Sequence, residues 1–378
     1  MEIYVVKPGD SVDSISAARE VPAERLIYDN QLVYPYQLAI GQALLIDRNE
    51  RSAGRAVSVG GYAYPFIRPW VLEQTLPFLS ELMVFSYGFT EEGGLLPPAY
   101  GEDGWMTEEA RRFGVRPILT LTPFGADGNF NNQLIHSVVN NLSYTNRLIR
   151  ELLQVMQEKG YRGVDIDFEF ILAEDRDAFT SFVWRVRSAV NQAGYTASVA
   201  LAPKTSWDQR GLLYEGKDYQ ALGEAADYVL LMTYEWGYTY GPPMAVAPID
   251  QVRRVVDYAL TEISAEKTNL GIPNYGYDWP LPFQRGVTAA ATIGNVEAVR
   301  IAVEQGAEIR FDELAQSPWF TYGAAGAEHE VWFEDVRSLQ AKFDLMEEYG
   351  LRGCGYWQIM QWFRANWLLL QSRFYVLK

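Results

Sequence analysis

The sequence predicts an α/β protein in which a (β/α)₈ TIM barrel follows a small β-α-α-β module. Beyond residue 56, eight short runs of β-forming residues alternate with amphipathic helical patterns, an alternation typical of parallel strands joined by helices. No glycine-rich dinucleotide motif follows the first of these runs, which disfavours the competing doubly wound open sheet. Eight such units over about 320 residues leave room for an insertion in the barrel.

The composition excludes several classes of protein. Of the 378 residues, 48% are hydrophobic and 21% are charged, and no apolar run reaches the ~18–20 residues of a membrane span, so no membrane partner is expected. The formal charge of −16 opposes the cationic surface that nucleic-acid binding requires. One cysteine, Cys354, and two histidines, His136 and His329, predict neither a disulfide scaffold nor a histidine-rich zinc site. We expect no cofactor and no metal, and the sequence predicts no oligomeric state.

Aromatic residues and the N-terminus suggest where the protein acts. Aromatic side chains make up 14% of the chain, with 11 Trp and 24 Tyr, and their flat faces are suited to stacking on sugar rings. The N-terminus, MEIYVVKPGDS, lacks the basic and apolar regions of a secretion signal. We therefore expect a protein that is associated with a spore coat or cortex or with the cell wall, and that is otherwise cytoplasmic until release.

Residues 1–48 predict the compact β-α-α-β module. Tyr4-Val5-Val6 is a short β run, and Pro8-Gly9-Asp10-Ser11 supplies a turn and a helix cap. A second helix from about Pro22 to Asn30 is followed by a closing strand at 42–46. This arrangement resembles the LysM carbohydrate-binding module. The resemblance implies that two loops bind N-acetylglucosamine, through Gly9, Asp10, Ser11, Val12, Asn30, Gln31 and Leu32. A structural cap without a ligand is the alternative.

Residues 48–56 are polar and without periodicity, so they predict a linker. The second domain is expected over 57–378, and its strands are expected at 57–64, 82–87, 116–122, 163–170, 197–202, 228–234, 269–273 and 353–358. A weakly patterned segment at about 277–330 falls between the seventh strand and its helix. It predicts an inserted subdomain beside a cleft.

The segment Gly163–Phe170 carries the most specific chemistry. As a strand of period two it would place Asp165, Asp167 and Glu169 on one face, spaced by roughly 6.6–7 Å per two residues. Repulsion at this spacing separates their pKa values, so that one acid can hold a proton while another is ionised, as general-acid catalysis requires. In a barrel strand Glu169 would lie nearest the active-site face. A solvated acidic face and a divalent-cation site are the alternatives.

Asp165-x-Asp167-x-Glu169 resembles the Asp-x-x-Asp-x-Asp-x-Glu motif of glycoside hydrolase family 18, the chitinase-like barrels. Arg162 stands at the first acidic position, and Thr120-Leu121-Thr122-Pro123 replaces the family's Ser-x-Gly-Gly. Three later segments match the family in the correct order: Met232-Thr233-Tyr234-Glu235, which has Glu in place of Asp, Gly271–Gly276, and Gly355-Tyr356-Trp357.

The resemblance implies a role for each matched residue. Glu169 would be the proton donor, Asp167 would orient the substrate's acetamido group, and Asp165 would hold Asp167. Tyr234 would be a fourth catalytic residue, bonding the acetamido oxygen. The expected substrate-binding residues are Glu235, Trp357, Met232, Tyr275 and Thr120.

A LysM module joined to such a barrel is similar to bacterial spore cortex-lytic N-acetylglucosaminidases. We therefore expect a retaining, substrate-assisted N-acetylglucosaminidase whose partner is peptidoglycan or another N-acetylglucosamine-containing glycan. A chitinase with the same chemistry and a non-hydrolytic, glycan-binding chitinase-like protein are the alternatives.

Overall fold

The computed structural model describes residues 1–47, 54–126, 128–324 and 326–378. Residues 48–53 of the predicted linker lie outside the described residues. The last two positions of that linker were assigned wrongly, because Arg55 and Ala56 begin a strand that pairs with Phe374 and Tyr375.

The N-terminal module has the predicted β-α-α-β order. Its elements are β1 (Glu2–Val5), α1 (Val12–Arg19), α2 (Ala23–Asp29) and β2 (Ala43–Ile46). The strands pair antiparallel, and a capping box begins α1, in which the Ser11 hydroxyl accepts from the N–H of Ser14 and the Ser14 hydroxyl accepts from the N–H of Ser11. Ile15, Leu26 and Leu44 are buried between the helices and the sheet, which gives the module a small core of its own.

The rest of the chain forms the barrel, its helices and an insertion. In chain order the elements are β3 (Arg55–Ala63), α3 (Pro69–Thr75), β4 (Glu81–Phe89), β5 (Leu95–Leu96), α4 (Gly104–Arg112), β6 (Arg116–Leu121), α5 (Asn132–Asn140), α6 (Leu142–Lys159), β7 (Gly163–Ile166), α7 (Arg176–Gln192), β8 (Thr196–Leu201), α8 (Tyr219–Ala225), β9 (Tyr228–Leu231), α9 (Ile249–Glu262), β10 (Thr268–Pro273), β11 (Gly276–Leu281), β12 (Ala291–Ile293), α10 (Asn295–Gln305), β13 (Arg310–Asp312), β14 (Ser317–Ala324), β15 (Ala327–Trp332), α11 (Val336–Glu348), β16 (Gly353–Trp357), α12 (Arg364–Arg373) and β17 (Phe374–Val376).

Eight parallel strands close the barrel in the order β3, β4, β6, β7, β8, β9, β10 and β16, and β16 pairs back onto β3. The helices pack their apolar stripes on the outside of this ring, as α6 does with Leu148, Leu152 and Met156. The predicted (β/α)₈ fold is therefore confirmed. No helix within the described ranges combines the length and the apolar character that a bilayer crossing needs.

Two barrel strands are shorter than predicted. β7 ends at Ile166 and not at Phe170, and β9 ends at Leu231 and not at Tyr234. The N–H of Asp167 still bonds the carbonyl of Leu121 at 2.9 Å, but the next part of the chain faces the loop after β8 in place of a neighbouring strand. A Cβ on Gly216 of that loop would lie 2.4 Å from the carbonyl oxygen of Ile171. The loop therefore occupies the position that continued pairing would need.

The insertion between β10 and α11 folds as a five-stranded antiparallel sheet in the order β12, β11, β15, β14 and β13. Helix α10 packs on it through Ala298 and Ala302, which contact a cluster that includes Phe320 and Val331. Its strands begin at Gly276 and end at Trp332, so the predicted insertion is present in the predicted place.

The N-terminal module is attached to the barrel by direct contacts. Arg364 of α12 forms an ion pair with Asp29 at 2.9 Å, and its N–H donates to Gln31 Oε1 at 2.6 Å. The N–H of Ile309 bonds the carbonyl of Ile40 at 2.8 Å. Gly41 (φ +81°) lies so close to Ile309 that a Cβ would collide with its carbonyl oxygen. The module thus has a defined position beside the insertion.

Candidate active site

Asp165 lies at the bottom of the acidic column, inside the barrel on β7. It is buried, and its two carboxylate oxygens accept hydrogen bonds from Tyr62 of β3 at 2.7 Å and Ser198 of β8 at 2.6 Å. Thr120 is the register partner of Asp165 on β6, and its buried hydroxyl has no hydrogen-bond partner among the residues that the structure describes. The predicted contact residue Thr120 therefore adjoins the column and has a free hydroxyl.

Asp167 and Glu169 follow β7 at the carboxyl end of the barrel. Asp167 is buried, and its Oδ1 makes no hydrogen bond to any described residue. Burial raises the pKa of Asp167 well above its ordinary value, and the charges of Glu169 and Asp165 raise it further. Burial also raises the pKa of Glu169, against the effect of Lys217, and raises that of Asp165 against its two hydrogen bonds.

The period-two alternation continues beyond the end of β7. Phe168 points away from the acids, since its ring stacks with Phe179 and Phe182 of α7 at 5.7 and 5.6 Å. Asp165 and Asp167 are buried and Glu169 is half-buried, so the raised pKa of each acid favours its protonated form, and Asp167 titrates together with its neighbours. This arrangement can supply a proton and stabilise a positive charge at adjacent positions.

Tyr234 and Met232 come from the segment after β9. Tyr234 is buried, and burial together with the charges of Asp167 and Glu169 raises its pKa well above the ordinary value, so that it remains a neutral donor. Gly271 of β10 is required here, because a Cβ would lie 2.8 Å from the Tyr234 ring. Met232 is half-buried against the barrel core.

Glu235 is held by two tyrosines. Its carboxylate accepts from Tyr275, and from Tyr277 at 2.9 and 3.1 Å. Burial raises the pKa of Glu235, whereas the two hydroxyls act to lower it. Its φ of +69° is in the left-handed region, which is uncommon outside glycine and concentrates at functional sites.

Trp357 ends β16 beside the acids and belongs to an aromatic wall. Its ring lies 4.8 Å from Phe85, 5.7 Å from Tyr62 and 6.2 Å from Tyr64. Tyr64 continues the wall toward the exposed ring of Tyr100, where a cavity of about 210 Å³ opens. The wall offers stacking surfaces next to the acids.

Most of the predicted glycan-binding residues of the N-terminal module make contacts within the protein itself. In the first loop Gly9 adopts a φ of +86°, Asp10 accepts from Tyr4 and from the N–H of Lys7, Ser11 caps α1, and Val12 is buried.

In the second loop the Asn30 amide bonds the backbone of Leu45, and Leu32 packs on the module's core. Gln31 bonds Arg364 and the carbonyl of Trp362 at 3.3 Å. Exposed apolar surface is instead present at Val33 and Tyr34.

Within the described ranges, His136, Glu174 and Asp175 have potential metal-binding atoms within 4.8 Å of one another. Both oxygens of Asp175 already contact His136 Nδ1 at 2.9 and 3.0 Å, and one also accepts from Asn140. This cluster is separate from the acidic column and fastens α5 to the start of α7.

Four residues near the acids escaped the sequence analysis: Tyr62, Ser198, Lys217 and Tyr277. The first two occupy inward positions of predicted strands, so the period-two pattern could have identified them. Tyr277 begins the insertion. Lys217 lies in a loop without periodicity, and a lysine in such a segment is ordinarily expected to be exposed.

Comparisons with known proteins agree with this geometry. A model of the glycosyl hydrolases family 18 matches residues 120–361, and a LysM domain model matches residues 4–47. The cortical fragment-lytic enzyme of Bacillus subtilis (strain 168) is 37% identical over the whole of this chain and 99% of its own.

Two solved structures are also similar over the full length. The spore cortex-lytic enzyme SleL of Bacillus megaterium QM B1551 superposes with a TM-score of 0.93 at 32% identity, covering 100% of this chain and 98% of its own. The SleL of Bacillus cereus superposes with a TM-score of 0.83 at 36% identity, covering 100% of this chain and 87% of its own.

Proposed function

Because the chain belongs to glycosyl hydrolase family 18 and carries a LysM domain, we propose that it hydrolyses the glycan of spore-cortex peptidoglycan on the reducing side of N-acetylglucosamine. The substrate is suggested by the relatives, whose names describe lytic enzymes of the cortex. Residues 57–378 are the catalytic unit in this proposal, and residues 1–48 bind N-acetylglucosamine-containing glycan. The protein would act at the spore cortex or cell wall.

In the proposed reaction the substrate's own acetamido oxygen attacks the anomeric carbon, as in other substrate-assisted glycosidases. Glu169 gives its proton to the leaving oxygen as the glycosidic bond breaks. Water then attacks the cyclic oxazolinium, Glu169 takes a proton from that water, and the product retains its configuration. Asp167 stabilises the positive charge, and Asp165 holds Asp167.

The remaining side chains bind and orient the sugar. Tyr234 donates to the acetamido oxygen, and Trp357 stacks under the ring. Glu235, Met232, Tyr275 and Thr120 complete the pocket. The observation that carries this proposal is the buried column of acids with raised pKa values, in which Asp167 Oδ1 has no partner among the described residues and can accept from an acetamido N–H.

The experiment is a Glu169→Gln variant assayed on cortex fragments and on chitin oligomers. Gln fills the same space but cannot donate a proton, so kcat should fall by about 10²–10⁴-fold while glycan binding persists. Glu174→Gln is the matched control, because Glu174 is exposed and lies outside the column; it should keep the parent rate.

Hydrolysis at the parent rate by Glu169→Gln would contradict the role of Glu169. Release of products from chitin oligomers alone would instead support a chitinase. Mass spectrometry of the products from defined fragments distinguishes the two substrates and identifies the bond that is cleaved.

A further inference from the structure

Lys217 is a buried cation at the active site with an unusual partner. Only 1% of its surface is exposed, yet its ammonium pairs with no carboxylate within the described ranges. Its Nζ donates instead to the backbone carbonyl of Glu169. Buried lysines are ordinarily paired with an acid, which offsets the free-energy cost of burying the charge. Lys217 has no such pair within the described ranges, so its burial here calls for another explanation.

We propose that Lys217 is a positioning residue of the hydrolytic reaction: it fixes the backbone of Glu169 and places a positive charge beside Asp167 and Glu169, which sets the pH range in which the acid can act. The inference rests on the proposed role of Glu169. It assigns a function to the loop between β8 and α8, residues 202–218, which the acidic motif itself does not include.

The mechanical part of the proposal follows from the end of β7. Beyond Asp167 the chain has left the sheet, so no strand pairing fixes the carbonyl of Glu169. The loop replaces that pairing, with the Lys217 ammonium on this carbonyl and Gly216 in close approach to Ile171. A catalytic group that is held in this way loses less entropy when the transition state forms.

A second buried lysine supports the loop. Lys204 Nζ donates to the carbonyl of Lys217 at 3.0 Å and to that of Trp207 at 3.3 Å, and it lies 5.8 Å from the Tyr219 ring. Lys204 thus holds the backbone of Lys217, which in turn holds the backbone of Glu169. The largest charges that act on Lys204 are those of Asp218, Arg176, Glu262 and Asp208, and no acid of the column is among them.

The electrostatic part has a definite sign. Burial lowers the pKa of Lys217 to about 8, Glu169 and Asp167 oppose that effect, and Lys204 adds to it. In return, the Lys217 charge lowers the pKa of Glu169 and of Asp167.

The other titratable groups that face the acids include Asp165 from β7, Tyr62 from β3, Tyr64 just after β3, and Tyr234 and Glu235 from the segment after β9. If the Lys217 charge is removed, both acids hold their protons to higher pH. The two acids titrate as a coupled pair, so the acidic and alkaline limbs of the rate belong to the pair, and both limbs should then move in the same direction.

Two variants of the full chain separate the two parts. Lys217→Gln keeps a hydrogen-bond donor without a charge, so both limbs of the pH–kcat profile on cortex fragments should move to higher pH while the maximal rate changes little. Lys217→Met also loses the donor. It should show the same shift and, in addition, a fall in kcat of up to about 10²-fold, as expected for a catalytic group misplaced by ~1 Å.

Lys267→Met is the matched control, because Lys267 also donates from Nζ to a backbone carbonyl, that of Gly223 in α8, and no acid of the column is among the main charges that act on it. It should lower the melting temperature and leave both limbs in place. Limbs that stay in place in Lys217→Gln would overturn the electrostatic part, and a parent-like kcat in Lys217→Met would overturn the mechanical part. Neither result would affect the role of Glu169, which its own Gln variant tests.

If the Lys217 variants do not fold, the same coupling can be measured from the other side. The ammonium of Lys217 should titrate near pH 8 in the nitrogen-15 NMR spectrum of the parent. Glu169→Gln removes a negative charge that favours the ammonium, so it should lower the pKa of Lys217. An unchanged titration would overturn the proposal.

Discussion

Among the residues that the structure describes, Lys342 and Lys217 are both buried beside acids, and their two sites are built in opposite ways. Glu334, just before α11, and Lys342, in the middle of that helix, are both fully buried and form a direct ion pair at 2.8 Å. In the active site, Lys217 bonds a backbone carbonyl and faces two of the three acids of the column from a distance. In the first site the ammonium contacts a carboxylate directly, and in the second it does not.

The difference lies in the balance of charge. At α11 one cation meets one anion in contact, which offsets much of the cost of burying both. The column has three carboxylates and one lysine that faces two of them, and the pKa of each acid is raised, which favours bound protons over an excess of negative charge. A carboxylate in direct contact with an ammonium stabilises the fold, whereas an acid without such a partner can hold a proton and transfer it.

The largest effect on stability should come from breaking the ion pair between Lys342 and Glu334. Lys342→Met leaves Glu334 buried without its cation, so the free energy of unfolding should fall by about 3–5 kcal/mol. Urea denaturation measures this loss, and hydrolysis per folded molecule should not change. Lys342→Met combined with Glu334→Leu should recover most of the loss. A decrease below about 1 kcal/mol in the single variant would show that the pair contributes little.

Asp167→Asn should have the opposite effects, because it should lower the rate of hydrolysis without destabilising the fold. Without the charge that stabilises the oxazolinium, kcat should fall by about 10²–10³-fold, as when one group that stabilises transition-state charge is removed. Because the folded pKa of Asp167 is raised, the parent loses stability as pH rises from about 3.9, the ordinary aspartate value, through that folded pKa.

Asn does not titrate, so the variant should gain stability relative to the parent over the same window, and urea denaturation at several pH values measures the gain. Asp177→Asn, at an exposed position of α7, is the control and should show neither effect. An Asp167→Asn variant that lost stability relative to the parent as pH rises would contradict the raised pKa of Asp167.

The acidic column could be predicted in part because its three acids lie close together in the sequence. Asp165, Asp167 and Glu169 alternate within one short segment, and the eight strand patterns place that segment in a barrel. The residues that control these acids come from elsewhere: Tyr62 from β3, Ser198 from β8 and Lys217 from a loop. The period-two pattern can place Tyr62 and Ser198 on the inward faces of their strands, but it does not show which acid they contact, and no pattern marks Lys217.

The same limit applies to the N-terminal module and to the strand ends. The β-α-α-β pattern identified the module, but nothing in it indicated that Gln31 contacts α12. The alternation of acids suggested that β7 reaches Phe170, because a period of two continues after pairing stops. The chain beyond the end of β7 contacts Gly216 and Lys217, which are about 50 residues farther along the sequence.

The smallest expected effects concern Glu235, whose hydrogen-bond partners are neutral hydroxyls and not a lysine. Tyr277→Phe removes one of them, and the loss of a single hydrogen bond should lower the free energy of unfolding by about 0.5–1.5 kcal/mol. It should also raise the pKa of Glu235 further, because the hydroxyl acts to lower it. Carbon-13 NMR of the glutamate carboxyls measures that pKa, and urea denaturation measures the stability.

Tyr322→Phe is the control, because it removes a hydroxyl that donates at 2.6 Å to an acid outside this site, the buried Asp278 of the insertion. The two variants should lose similar stability, but Tyr277→Phe alone should raise KM, by about 2- to 10-fold if the same 0.5–1.5 kcal/mol is lost from binding. Equal KM values in both variants would mean that Glu235 is held in the manner of Glu334, for the fold and not for the sugar.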